Sequence, residues 1–171
     1  MHRLHLLRHA KSSRDLEVDD RERGLSRRGR EEAKRVGAQL PAVVGRLDLV
    51  LCSTARRARK TAELALASFA PMPRLIFDDA LYLAAPALLL KRLSGLEESE
   101  EAVLMIGHNP GLHELAVTLA APDSGAFQAL AGGKFPTSAR ASFVIAGRWS
   151  TLGSSRHLLT DYVTVKSSDP S

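Results

Sequence analysis

An arginine and a histidine stand side by side where the first apolar run ends, in Leu6-Leu7-Arg8-His9-Ala10-Lys11-Ser12. A guanidinium grips phosphate oxygens as a planar fork, and an imidazole can attack phosphorus as a nucleophile. In open α/β sheets, ligands sit at the carboxyl ends of the strands, which is where this pair falls. A second apolar run, Asp48 to Ser53, leads into Ser53-Thr54-Ala55-Arg56-Arg57-Ala58-Arg59-Lys60-Thr61-Ala62. A helix starting there would collect anions through its free N–H groups, and an arginine in its first turn would add a forked donor. A third run, Ala102 to Ile106, leads into Gly107-His108-Asn109-Pro110-Gly111. Imidazoles and guanidiniums converging from such strand ends make a pocket for a dianionic phosphoryl group. Pre-placed cations stabilise the charge that spreads over its oxygens during transfer.

The strand followed by Arg8-His9-Ala10 resembles the signature of the histidine phosphatase superfamily. The form Arg-His-Ala-Lys-Ser and the short chain resemble its SixA-type phosphohistidine phosphatases. Ser53, Arg57-Ala58 and Thr61-Ala62 are similar in spacing to the family's second motif, and His108 to its second histidine. Lys134-Phe135-Pro136-Thr137-Ser138-Ala139 resembles a segment common in SixA-like proteins, read as structural or as a rim of the site. Arg23-Gly24-Leu25 resembles an Arg-Pro-Leu segment with Gly24 in place of proline, which leaves the placement of Arg21 and Arg23 open.

The resemblance implies a three-layer αβα fold with a mostly parallel central sheet and no large helical insertion. It implies that His9 attacks phosphorus and carries the covalent intermediate. Arg8, Arg57 and His108 would bind phosphoryl oxygens, His108 either as a cation or as a neutral donor. Arg56 and Arg59 would lie at the rim or on the surface. Water would then release inorganic phosphate, with no metal or other cofactor required. Ser12 is a further candidate phosphate donor, although it could equally satisfy the turn after the strand.

The leaving-group acid is the open position. Asp78 and Asp79 lie in the right part of the chain, but the acid motif of larger relatives is absent around them. An imidazole leaves more easily than an alkoxide, so a weak acid favours a phosphohistidine substrate. The expected partner is a phosphorylated signalling or phosphotransfer protein. A small-molecule phosphomonoester phosphatase is the alternative, and a non-catalytic phosphate-binding module would require loss of His9. His2, His5, His113 and His157 are read as structural. Cys52, inside an apolar strand, is read as an inert thiol.

Positioning these residues takes strands alternating with helices, which indicates a parallel sheet covered on both faces. The spacing predicts strands at Arg3 to Arg8, Asp48 to Ser53, Arg74 to Phe77, Ala102 to Ile106, Ser142 to Ala146 and Tyr162 to Val165. Helices are expected from Ser26 to about Val44, with Pro41 ending or kinking it, and over Ala55 to Ser68, Ala87 to Leu93 and Leu112 to Leu119. Ala121 to Pro136 shows little pattern and is expected to be mobile.

A chain of 171 residues with 44% hydrophobic content fits one domain over 1–166, with a frayed tail at 167–171. The apolar runs are too short to cross a membrane, and the first residues lack a signal peptide's apolar segment. One cysteine precludes an intrachain disulfide and permits a cytoplasmic location. The net charge of +5 suits an anionic substrate or acidic partner. With aromatics at 5% and no recognisable module, nucleic acid is not expected. The protein is expected to be a monomer.

Overall fold

In a computed structural model describing residues 1–166, six strands form one sheet: His2–Arg8 (β1), Leu49–Ser53 (β2), Arg74–Asp78 (β3), Ala102–Gly107 (β4), Arg140–Ile145 (β5) and Leu158–Val163 (β6). Their order is β3-β2-β4-β1-β5-β6. The first four are mutually parallel, β5 runs antiparallel to β1, and β6 antiparallel to β5. β4 therefore sits between β2 and β1, and the three strands that end in the candidate residues are neighbours.

Helices cover both faces. Arg27–Val44 (α1) and Arg56–Ala65 (α2) pack Leu40, Val44, Ala58, Ala62 and Ala65 against Leu7, Val50, Cys52, Leu104 and Ile106. Pro86–Ser94 (α3), Gly111–Leu119 (α4) and Phe127–Gly132 (α5) cover the other face, where Leu89, Leu112 and Leu130 join Leu4, Leu6, Leu51 and Met105. The central strands read as continuous apolar runs because both of their faces are buried. This is the expected three-layer α/β architecture. No helix among the described residues is long and apolar enough to cross a membrane.

Ser26 caps α1, its hydroxyl accepting from Gly29 N–H at 3.0 Å. Such a cap contributes about 1 kcal/mol. Pro41 does not end α1. It lies in the last turn, and the helix stops at Gly45, where φ turns to 68°. α2 ends at Ala65, short of Ser68, and β5 begins two residues before Ser142. The edge strand is β6, displaced towards Leu158 from the expected Tyr162 to Val165. The stretch from Ala121 to Pro136 is not patternless: it holds α5, and Leu130 and Phe135 are buried. Six residues are too few to display a helical period, so packing rather than periodicity defines this helix. A 3₁₀ turn at Trp149–Ser154 also escaped the pattern. The tail at 167–171 lies outside the described residues.

Candidate active site

β1 ends at Arg8, level with Gly107 of β4, and His9 N–H donates to Gly107 O at 3.2 Å. His9 is only 6% exposed. Its Nδ1 lies 2.7 Å from Ala10 O. A carbonyl can only accept, so Nδ1 carries the proton and Nε2 keeps its lone pair. Burial above all lowers the His9 pKa to about 3, with the charges of His108, Arg57 and Arg8 acting in the same direction. The imidazole is therefore a free base at neutral pH.

His108 follows β4, and its ring centroid is 5.1 Å from that of His9. Ser53, the last residue of β2, places Oγ 2.7 Å from His108 Nε2 and accepts from Ala55 N–H at 3.3 Å. With the serine hydrogen directed to Nε2, neutral His108 holds its proton on Nδ1. That nitrogen is buried and has no partner among the described residues. Burial, followed by the Arg57 charge, lowers the His108 pKa to about 4. Of the two states expected from the sequence, the neutral donor is the one this environment favours.

Arg8 donates Nη1 to Phe135 O at 3.2 Å, and its buried Nε has no partner among the described residues. Arg57 leaves the first turn of α2 and is almost fully buried. Its Nη1 donates to Asp20 O at 2.7 Å and its Nη2 to Asp20 Oδ2 at 3.1 Å. Burial, followed by the Arg57 charge, lowers the Arg8 pKa, and the Glu32 charge opposes the shift. Arg56 and Arg59 instead line a surface groove of about 880 Å³ between α2, β3 and the loop around Ser13 to Gly24.

One hydroxyl ties two of these strand ends together. Thr61 Oγ1 accepts from Ala10 N–H at 3.0 Å and donates to Arg57 O at 2.7 Å. The loop carrying His9 and the turn carrying Arg57 thus share an anchor. Behind them, Glu32 of α1 accepts at Oε1 from Lys11 N–H, Thr137 Oγ1 and Ser138 Oγ, each at 3.1 Å. Ser138 N–H in turn donates to Arg8 O and His9 O, both at 3.1 Å.

The remaining candidates are engaged by other side chains. Ser12 Oγ accepts from Arg23 Nη1 at 2.8 Å. Asp79 accepts from Thr54 Oγ1 at 2.5 Å and Arg21 Nη1 at 3.1 Å, and Arg21 lies over Tyr82, 4.4 Å from the ring centroid. Tyr82 meets His108 edge-on at 5.4 Å. Asp78 points to Arg92 at 2.9 Å and caps Ala80 N–H. Burial would raise its pKa, but these hydrogen bonds and the Arg92 charge together lower it. Neither carboxylate touches His9 or His108, and each is held by basic partners.

The other four histidines bond elsewhere: His2 to Glu98, His5 to Ser142, His113 to Leu130 O and His157 to Leu152 O. Burial pushes the Cys52 thiol up to about 12. Among the described residues, no group of three or more His, Cys, Asp or Glu side chains is placed to hold a metal. Sequence reasoning missed Asp20, Tyr82 and Glu32. Nothing distinguishes Asp20 within its run of charged residues, and Glu32 reads as one more polar helix position.

Residues 4–81 match the family model for the histidine phosphatase superfamily, branch 1. The chain is 37% identical over 147 residues to the uncharacterized protein Rv1276c of Mycobacterium tuberculosis, covering 84% of this chain and 90% of that protein. The chain belongs to the histidine phosphatase superfamily. Within it, the candidate phosphohistidine phosphatase SixA from Nakamurella multipartitia superposes with a TM-score of 0.83 at 26% identity, over 95% of each chain. The candidate phosphohistidine phosphatase SixA from Agrobacterium tumefaciens gives 0.80 at 27% identity, over 95% of this chain and 97% of that one. The expected histidine phosphatase fold is thus borne out over nearly the whole chain.

Proposed function

We propose that this histidine phosphatase hydrolyses phosphohistidine on a protein, through a phosphorylated His9. The observation that carries the reading is the His9 hydrogen bond to Ala10 O, which leaves Nε2 unprotonated on a ring that stands 5.1 Å from His108 and feels the charges of Arg57 and Arg8. In this scheme Nε2 forms a bond to phosphorus as the P–N bond to the substrate breaks. The electron pair goes to the leaving imidazole nitrogen, which takes up a proton. Arg8, Arg57 and the Nδ1–H of His108 hold the equatorial oxygens. Water then attacks the phosphorus as the P–N bond to His9 breaks, the electron pair returns to Nε2, the water gives up a proton, and inorganic phosphate departs with no metal required.

The choice of a P–N substrate is supported by the partners of the two candidate acids. Asp78 is tied to Arg92, and Asp79 to Arg21 and Thr54. The hydrogen bonds to Asp78 and the Arg92 charge lower its pKa, which makes it a poor proton donor to an alkoxide. An imidazole nitrogen is basic enough to be protonated without such a donor. The SixA likeness supports the same substrate class. The phosphorylated partner is taken to be a signalling or phosphotransfer protein.

Phosphate release tests this, measured from a histidine-phosphorylated phosphotransfer protein and from a panel of small phosphomonoesters. Release from the phosphoprotein that disappears in His9→Ala, while circular dichroism is unchanged, is the expected outcome. Faster release from a monoester would overturn the substrate, and parental rates in His9→Ala would overturn the nucleophile.

A further inference from the structure

The 3₁₀ turn Asp20–Glu22 lies in the loop between β1 and α1, and its first residue reaches into the site. Both carboxylate oxygens of Asp20 are engaged. Oδ1 accepts from Arg23 Nη2 at 2.8 Å and Nε at 3.2 Å, whereas Oδ2 accepts from Arg57 Nη2 at 3.1 Å and from the Tyr82 hydroxyl. The backbone carbonyl of the same residue takes Arg57 Nη1 at 2.7 Å. Both terminal nitrogens of Arg57 are therefore fixed by one residue from a loop distant in sequence.

We propose that Asp20 is a positioning residue for Arg57: it pins one edge of the guanidinium so that its remaining donors face the phosphoryl group. The inference rests on reading Arg57 as a phosphate ligand. A guanidinium has five N–H donors in a rigid fork, so it can serve a carboxylate and a phosphoryl group together. Without an anchor, a long buried side chain beside Arg8 would be pushed aside by like charge, and ordering it would cost rotamer entropy on each turnover. Hydrogen bonds from Tyr82 and Arg23, with the charge of Arg57, hold the Asp20 carboxyl far below the usual carboxylate range. It therefore stays an anion at neutral pH. Tyr82 extends the effect, because its ring stands edge-on to His108 while its hydroxyl holds Asp20.

The opposite role for the same contacts is competition, in which the carboxylate stands in for phosphate and has to leave before substrate binds. The two roles differ in sign, and a double-mutant cycle separates them. Affinity for inorganic phosphate is measured by calorimetry in the parent, Asp20→Asn, Arg57→Ala and the double variant, alongside kcat/KM and thermal melting. Positioning predicts that Asp20→Asn weakens phosphate binding and kcat/KM by roughly ten- to a hundredfold. It also predicts that Asp20→Asn adds less than about twofold once Arg57 is alanine, because contacting residues couple. Tighter phosphate binding in Asp20→Asn would show a competing carboxylate. Losses that simply multiply with those of Arg57→Ala, accompanied by lower melting, would show a structural loop contact. Either result overturns the inference. Unchanged phosphate affinity in Arg57→Ala would overturn the reading of Arg57 itself, and the role of Asp20 with it.

Discussion

In the proposed reaction a single proton decides which nitrogen of His9 attacks. The 2.7 Å contact to Ala10 O holds it on Nδ1, which leaves the opposite nitrogen with its lone pair. The arginines around it differ in the same local way. Arg57 is buried and bonded to Asp20, whereas Arg59, on the same helix, is exposed beside the groove. Losing a hydrogen bond to a charged group costs about 1.5–3 kcal/mol, so Arg57→Ala should weaken phosphate binding roughly ten- to a hundredfold. Arg59→Ala acts only through a screened charge and should change it less than about threefold. Isothermal titration with inorganic phosphate checks both, and equal losses would mean that the wrong arginine was chosen. Residue types at strand ends were legible here because the chemistry dictates them. The partners that orient them were not: Ser53 is an ordinary polar residue until its hydroxyl is seen 2.7 Å from His108.

At the scale of elements, the site is held by contacts between loops and helices that are remote in sequence. Glu32 shows the logic. One oxygen of a buried carboxylate binds the loop after His9, through Lys11 N–H, and the Phe135 to Ala139 segment, through Thr137 and Ser138. That segment supplies Phe135 O, which receives Arg8 at 3.2 Å and Asn109 Nδ2 at 2.6 Å. The close approach of α1 to this loop also explains Gly29, where a Cβ would lie 1.9 Å from Lys11 O. Removing the Glu32 acceptor leaves buried donors unpaired, so Glu32→Ala should cost about 1–3 kcal/mol and lower kcat/KM as Arg8 loses its support. Glu32→Gln keeps an acceptor oxygen and should recover most of both. Melting and initial rates of the two variants provide the check, and equal damage would point to the charge rather than the hydrogen bonds. The strands and long helices were legible from apolar runs and their periods. α5 and the Trp149–Ser154 turn were not, because pieces this short take their form from the core they cover.

Across the whole molecule, the burial that builds the site has a consequence for stability. Burial is the first cause of the lowered pKa at His5, to about 3, at His9, to about 3, and at His108, to about 4. All three sit in or beside the sheet, and all would titrate near the ordinary histidine value of 6.5 once unfolded. The unfolded chain therefore takes up these protons first as pH falls. The stabilising contribution is complete above pH 6.5 and is lost progressively towards pH 4 for His108 and pH 3 for the other two. Each extra proton on the unfolded chain gives a slope of about 1.4 kcal/mol per pH unit. Asp20 acts with the same sign at lower pH, since its carboxyl is held far below the usual range. Urea unfolding from about pH 7 to about pH 5 should show stability falling as the solution becomes more acid. His5→Asn should shed one proton's share of that slope whatever it does to stability at neutral pH. A flat profile would mean that the histidines are solvated in the native state. His9 would then lose the burial that keeps Nε2 a free base, so the unfolding experiment also tests the proposed nucleophile.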